Sequence, residues 1–472
     1  NENSVKSGIS IKMLPQTGGK GNISLFVEIE DGSGIKSVSA ELCKNGESSS
    51  VYSESLNFSS NAAKIEKSDV TSGVYVLSLK FYSESDCNGE LLYMAQEIVN
   101  VFNNLTTDTW QGNSVYISGG KFVVSKSAVE SFKMNTFFVQ GENEATYLPA
   151  TAANDSNAGT YFAPLASVQA AVDKINAIND GTTEYTIFVD GTVTAYSSGD
   201  YSANNSSFVN ISLASTLSLA IKSLSSEKAV IDAGRNGQNA DTTGWRVFYI
   251  GSKANVVFEN ITVTGGSLDE TGGGIYAKGN LTLKDCIVTK NKSNNAGGGI
   301  SFSGKELVLE NTSVTYNKSS GNGGGINADG KVTISGSEIL NNSATDNGGG
   351  IYFGDGEKTV PGTTVNKNSA EFGGGIYMQD GTLNLESGAI IGEILNPDDD
   401  TNGISKVATS SDYGNKATDT SYSRAGAGLY IQSGTVNMSE GVYICKNYTS
   451  SYGGGVYVSP NGIFNMSGGV IG

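Results

Sequence analysis

The chain has 472 residues, with 47 Asp and Glu against 30 Lys and Arg for a formal charge of −17, and it contains 62 Gly, six Pro and no His. That charge argues against nucleic acid or an anionic membrane as partner, and the missing His removes Ser/His and Cys/His nucleophiles and His-based metal sites. No apolar run reaches the ~18 residues that a membrane-crossing helix needs, so no membrane span is expected.

The chain opens Asn1-Glu2-Asn3 without an initiating Met, which reads as a trimmed leader and a secreted or cell-surface, bacterial setting. Residues 1–102 alternate in short apolar runs, at 9–14, 23–29, 38–42, 74–81 and 91–101, between Gly, Ser and Asn clusters. This predicts a small immunoglobulin-like β-sandwich serving as a spacer or a ligand module. Cys43 and Cys87 fall inside it, and whether they are bridged stays open. Residues 103–135 read as a connector with a hairpin around Gly119-Gly120.

From residue 136 to 472 the pattern predicts a parallel β-helix, wound right-handed as parallel crossovers are. Its entry runs Phe137-Phe138-Val139, then the loop Asn154-Asp155-Ser156-Asn157, then a short helix over about 167–178. Ser167 caps that helix, and Val168, Ala171, Val172, Ile175 and Ile178 share the face that should plug the coil stack. This order resembles the entry segment of many secreted β-helix proteins. The Asn-rich loop is a weak Ca²⁺ candidate, since no bidentate Glu stands at a suitable distance; otherwise no cofactor is expected.

Residues 272–376 carry the repeat: GGGIY or its variants start at Gly272, Gly297, Gly323, Gly348 and Gly373, 25, 26, 25 and 25 residues apart. Looser copies start at Gly426 and Gly453. A period in the twenties is a solenoid. Ile275, Ile300, Ile326, Ile351, Ile376, Leu429 and Val456 fill one inward slot, and apolar residues recur two places on, which is a strand with one buried face. A Gly-centred turn, a second apolar pair and a third strand follow, so three strands are expected per coil. The third ends in Asn291, Asn317, Asn342, Asn368 or Asn447, and a polar residue returning to one corner of every coil predicts a hydrogen-bonded ladder. About twenty residues, 392–412, interrupt one coil and include Asp398, Asp399 and Asp400, weak metal or carboxylate-pair candidates. The chain stops inside a coil, which predicts further residues beyond Gly472.

The pairing of GG-x-[ILV] with an aliphatic-x-x-Asn phrase, over about 260–472, resembles the repeats of the polymorphic outer-membrane proteins and related secreted β-helix proteins. Here the third residue is Gly where Ala is usual, and Val or Ile stands where Phe is usual. The resemblance implies a surface-exposed adhesive passenger and brings no catalytic residues.

Tyr276, Tyr352, Tyr377, Tyr430 and Tyr457 occupy the outward slot of the first strand, with Ser301 and Asn327 breaking the series. They are the candidate ligand-binding residues, for stacking on a glycan or packing on a surface protein; the alternative is that they stack on one another and stiffen the sheet. The alternative function is a polysaccharide lyase or glycoside hydrolase, with Arg235, Arg246 or Arg424 as base or Asp232 and Asp269 as a carboxylate pair. No repeated spacing singles out such a site, so no catalytic residue is assigned.

Overall fold

The structure is a computed structural model describing residues 18–45, 49–110, 117–118, 121–141, 152–178, 184–194, 207–213, 215–234, 244–393, 414–419 and 425–472. It divides into two compact units, Asn1–Thr136 and Phe137–Gly472.

The first unit is two sheets over one core. Strands Ser50–Asn57, Ser37–Lys44, Gly73–Tyr82 and Leu91–Val101 lie side by side and antiparallel. In the second sheet Lys20–Ile29 pairs antiparallel with Ala62–Thr71 and parallel with Thr106–Thr107 and Lys121–Val124. Leu25, Val27, Leu42, Leu77, Phe81 and Phe122 meet between them. Lys121–Val124 and the helix Lys126–Asn135 therefore belong to this unit, the helix through buried Ala128 and Val129 and with Ser125 capping its first turn. Cys43 and Cys87 are both free thiols. The Cys87 N–H bonds Ser37 Oγ at one end of the strand Ser37–Lys44. Cys43 lies six residues along the same strand, roughly 20 Å away at the rise of extended chain, beyond disulfide reach.

The second unit is a parallel β-helix. The strand Thr136–Gln140 and the helix Val168–Ala177 open it. Val168, Ala171, Val172 and Ile175 are buried against Val139, Ile187 and Phe208, so the helix covers the end of the stack. Its Gln169 also accepts from the backbone N–H of Asn210 at 2.7 Å, which ties the helix to the strand Ser207–Ile211. Coils then stack in register. In the coil after Gly272, strands Ile275–Ala277 and Asn280–Lys284 both enter an 18-stranded sheet, Ile287–Thr289 enters a 10-stranded one, and Lys292–Ser293 a 7-stranded one. Among the described residues seven coils thus have a fourth, two-residue strand beyond the three expected, its inward place filled in five of them by Ser293, Ser319, Ala344, Ala370 or Ala417.

The aliphatic file is continuous: Ile275, Ile300, Ile326, Ile351, Ile376, Leu429 and Val456 are successive register partners. It extends upstream through Phe248 and Val209. On the outer surface Lys222, Glu259, Lys284 and Glu310 form a file of alternating charge, with Lys222 Nζ 2.7 Å from Glu259 and Lys284 Nζ 3.4 Å from Glu310. A slip of one coil would bring like charges together, so this file favours the observed register.

Candidate functional site: the tyrosine column and the glycine–asparagine corner

Two columns run along the coils, one outside and one at an inner corner. The outer column starts one coil earlier than the GGGIY phrase, because Tyr249 is the register partner of Tyr276. Tyr249 stands in Arg246–Ile250, which lacks the phrase and so escaped phrase matching. After Ser301 and Asn327 the column resumes with Tyr352, Tyr377, Tyr430 and Tyr457. Their rings lie face to face: Tyr352 on Tyr377 at 5.4 Å and 7°, Tyr377 on Tyr430 at 4.8 Å and 7°, Tyr430 on Tyr457 at 5.0 Å and 21°. Tyr377 is 7 % exposed and Tyr430 only 2 %, whereas Tyr249, Tyr276, Tyr352 and Tyr457 are half-buried. The Tyr352 hydroxyl donates to Gln379 Oε1 at 3.0 Å, and burial, followed by the charge of Asp329, holds it above the ordinary phenol range.

The inner column is Asn291, Asn317, Asn342, Asn368, Asn415 and Asn447. Each of the first five donates its amide Nδ2 to Oδ1 of the next, at 2.9–3.1 Å. Each Nδ2 also donates to a third-strand carbonyl of the coil before, as Asn342 does to Val314 at 2.8 Å. The backbone N–H of each donates to the same neighbouring Oδ1, as in Asn317 to Asn342 at 3.0 Å. Asn415 is a member the repeat phrase missed, hidden behind the long loop. The short signal Asn-x-Ser/Ala, shared by Asn291, Asn317, Asn342 and Asn368, marks it.

The glycine triplet makes room for this corner. Gly323 has φ of +64°, a Cβ on Gly324 would stand 2.4 Å from the carbonyl carbon of Ser343, and one on Gly325 would stand 3.0 Å from the Asn342 amide. In the coil before the ladder Val247 takes the third place of the triplet.

Two cations are buried among the described residues of this unit. Arg246, 1 % exposed, donates from Nη2 to Glu270 Oε2 at 2.8 Å and to the Thr271 carbonyl at 3.1 Å, with its guanidinium 5.4 Å from the Tyr276 ring. Those bonds fix its orientation. Lys358 sits in the inward file between Val332 and Leu383, fully buried, with Nζ donating to the carbonyls of Gly354 at 2.6 Å and Gly356 at 3.1 Å. Burial pulls its pKa from 10.5 down to about 8, against the upward pull of Asp355, Asp329 and Asp380. The unfolded chain therefore holds more protons between about pH 8 and 10.5, and the stability contribution of this group rises with pH across that window. Lys358→Met is expected to stabilise the fold by about 3 kcal/mol at pH 7. In urea unfolding at pH 7 and pH 10, the gap between variant and parent should narrow at the higher pH.

The carboxylate of the Asn-rich loop is committed elsewhere. Asp155 Oδ1 accepts from the N–H groups of Ala166 and Ser167 at 2.9 and 2.8 Å, and Oδ2 accepts from Ser167 Oγ at 2.8 Å, so the loop caps the entry helix. Among the described residues no group of three or more Cys, Asp and Glu side chains converges to hold a metal ion. Asp398, Asp399, Asp400, Arg235 and Arg424 lie outside the described residues. Asp232 accepts from Gly234 N–H at 2.7 Å, and Asp269 accepts from Asn294 Nδ2. Cys286 and Cys445 are buried, and burial pushes the Cys286 thiol up to about 12. No helix among the described residues is long and apolar enough to cross a membrane. Compared with known proteins, the chain matches no family model, no curated protein and no solved structure.

Proposed function

We propose that this chain is the rigid β-helical part of a secreted or bacterial cell-surface, adhesin-like protein, with the N-terminal unit as a spacer. Its half-exposed tyrosines Tyr276, Tyr352 and Tyr457 meet a glycan or surface protein by their edges and hydroxyls, while Tyr377 and Tyr430 hold the column together. The observation that carries this reading is that stacked column of rings, continuous from Tyr352 to Tyr457 on the outer face. Aromatic neighbours along a sheet stiffen it, and an aromatic row left at the surface suits a flat partner. The likeness of the GG-x-[ILV] and x-x-Asn phrases to the polymorphic outer-membrane repeats supports a passenger role.

Folded Tyr276→Ser/Tyr352→Ser protein should lose the glycan-array or surface-protein signals of the parent. Tyr430→Ser should keep them and lose about 2 kcal/mol of stability instead. Retention of every parent signal by the folded double variant would remove the binding half of this reading.

A further inference from the structure

The residue directly before five of the six ladder asparagines is held in the left-handed region, Gly414 before Asn415 being the exception. Lys290, Tyr316, Asn341, Lys367 and Lys446 have φ of 56°, 56°, 57°, 56° and 52°. Asparagine adopts that conformation readily, but a bulky aromatic side chain does so only at a cost in strain. Tyr316 pays that cost without burial in return, since it is 61 % exposed. A strained, exposed aromatic is an outlier of the kind that collects at binding sites.

Its surroundings are basic on a chain of net charge −17. In its own column Lys290 and Lys367 are exposed, and Lys446 pairs with Glu393 at 3.9 Å. Two residues further on, the outward file of the fourth strands runs Ser267, Lys292, Lys318, Ser343, Ser369, Lys416 and Tyr448, in register and without an acidic member. The stripe is narrow, because the third-strand file beside it carries exposed Glu338 and the turn beyond it carries exposed Asp346. At ~4.8 Å per coil, Lys290 and Lys367 stand about 14 Å apart along the axis, with Tyr316 between them.

We infer that the stripe of Lys290, Tyr316, Lys318 and Lys367 binds a single extended chain of an acidic polysaccharide lying along the solenoid axis. Tyr316 stacks on a sugar ring, as tyrosine does through its face, and the lysines meet carboxylate or sulfate groups on either side. A duplex nucleic acid fits poorly, because its width would press phosphates onto the flanking Glu338 and Asp346. The stripe also offers lysine point charges in place of arginine forks. The inference does not depend on the tyrosine column of the first strands.

The whole chain, in about 50 mM salt where exposed charges are weakly screened, is tested against immobilised polygalacturonate, chondroitin sulfate, neutral dextran and single-stranded DNA. The parent should be retained by at least one acidic polysaccharide and by neither dextran nor DNA. Lys290→Gln/Lys318→Gln/Lys367→Gln should weaken retention about tenfold. Tyr316→Asn should weaken it about fivefold while raising the thermal midpoint, because asparagine relieves the left-handed strain. A merely structural tyrosine would not give those opposite signs. No retention of either acidic polysaccharide, equal retention on DNA or dextran, or unchanged affinity in Tyr316→Asn would each overturn the inference. Loss of retention here with the array signals of Tyr276 and Tyr352 intact, or the reverse, separates this site from the tyrosine column.

Discussion

Asn342→Ala should lower the stability of the β-helix by about 4 kcal/mol, in urea unfolding followed by circular dichroism. The side chain is 1 % exposed and saturated: Oδ1 accepts from Asn317 N–H and Nδ2, both at 3.0 Å, and Nδ2 donates to the Val314 carbonyl and Asn368 Oδ1. Truncation strands those partner atoms where water does not reach, and each stranded group costs roughly 1–3 kcal/mol. The control is Asn437 on the half-buried outer face, which donates to Asn384 Oδ1 and accepts from Asn465 Nδ2, both at 2.9 Å. Asn437→Ala should cost only about 1 kcal/mol, because both partners can turn to solvent. Amide exchange should place the damage of Asn342→Ala in the coils on either side, as expected where each repeat contacts only its neighbours. Equal costs for the two substitutions would refute the ladder as a main source of stability.

Gly324→Ala should be about as damaging, at roughly 3 kcal/mol or more, although it adds a single methyl group. That methyl would stand 2.4 Å from the carbonyl carbon of Ser343 and 2.4 Å from the Gly349 oxygen. Both are backbone atoms, so relief requires separating coils whose Gly324 N–H bonds the Gly348 carbonyl at 3.1 Å. The same corner does hold a methyl at Ala427, which packs with Ala417 and Ala425. A corner built around its methyl tolerates it, whereas the corner at Gly324 is closed by Ser343 and Gly349. Thermal unfolding of Gly324→Ala beside the milder Gly325→Ala, whose nearest new contact is the Gly350 oxygen at 2.7 Å, measures the difference.

The coil was legible because its period is carried by residues with few substitutes. From Gly272 to Gly375 a methyl in the corner would meet backbone atoms, so glycine recurs there, and only a side chain with both a donor and an acceptor can continue the asparagine column, so both repeat visibly. The inward aliphatic file was legible for the same reason, since Ile300, Ile326 and Ile351 have nowhere else to go. What escaped was carried by residues with many substitutes. The fourth strand has a small inward residue, Ser293 or Ala344, that sets no hydrophobic pattern. Strands Ser50–Asn57 and Ala62–Thr71 are largely exposed and read as polar loop. The helix Lys126–Asn135 buries only Ala128 and Val129, too little for a visible apolar stripe. Lys358 was invisible as a core residue because nothing in a lysine's identity says that Gly354 and Gly356 will turn their carbonyls toward it. For the candidate site, the tyrosine slot was legible from alternation, but face-to-face stacking depends on ring angles that alternation does not specify.

The amides of the inner column all point the same way along the axis, each giving its hydrogen to the next. Asn368 and Asn415 are 47 residues apart in the chain, yet their bond of 2.9 Å matches that of Asn317 and Asn342, only 25 apart. The column responds to the corner and not to the length of chain between corners. Duplicating one lap would give the copy a ready donor on one side and a ready acceptor on the other, with no neighbour needing to change. Such a molecule can be lengthened by whole units, or host a foreign segment beside Asn415, as a thread takes beads of any size on the same string.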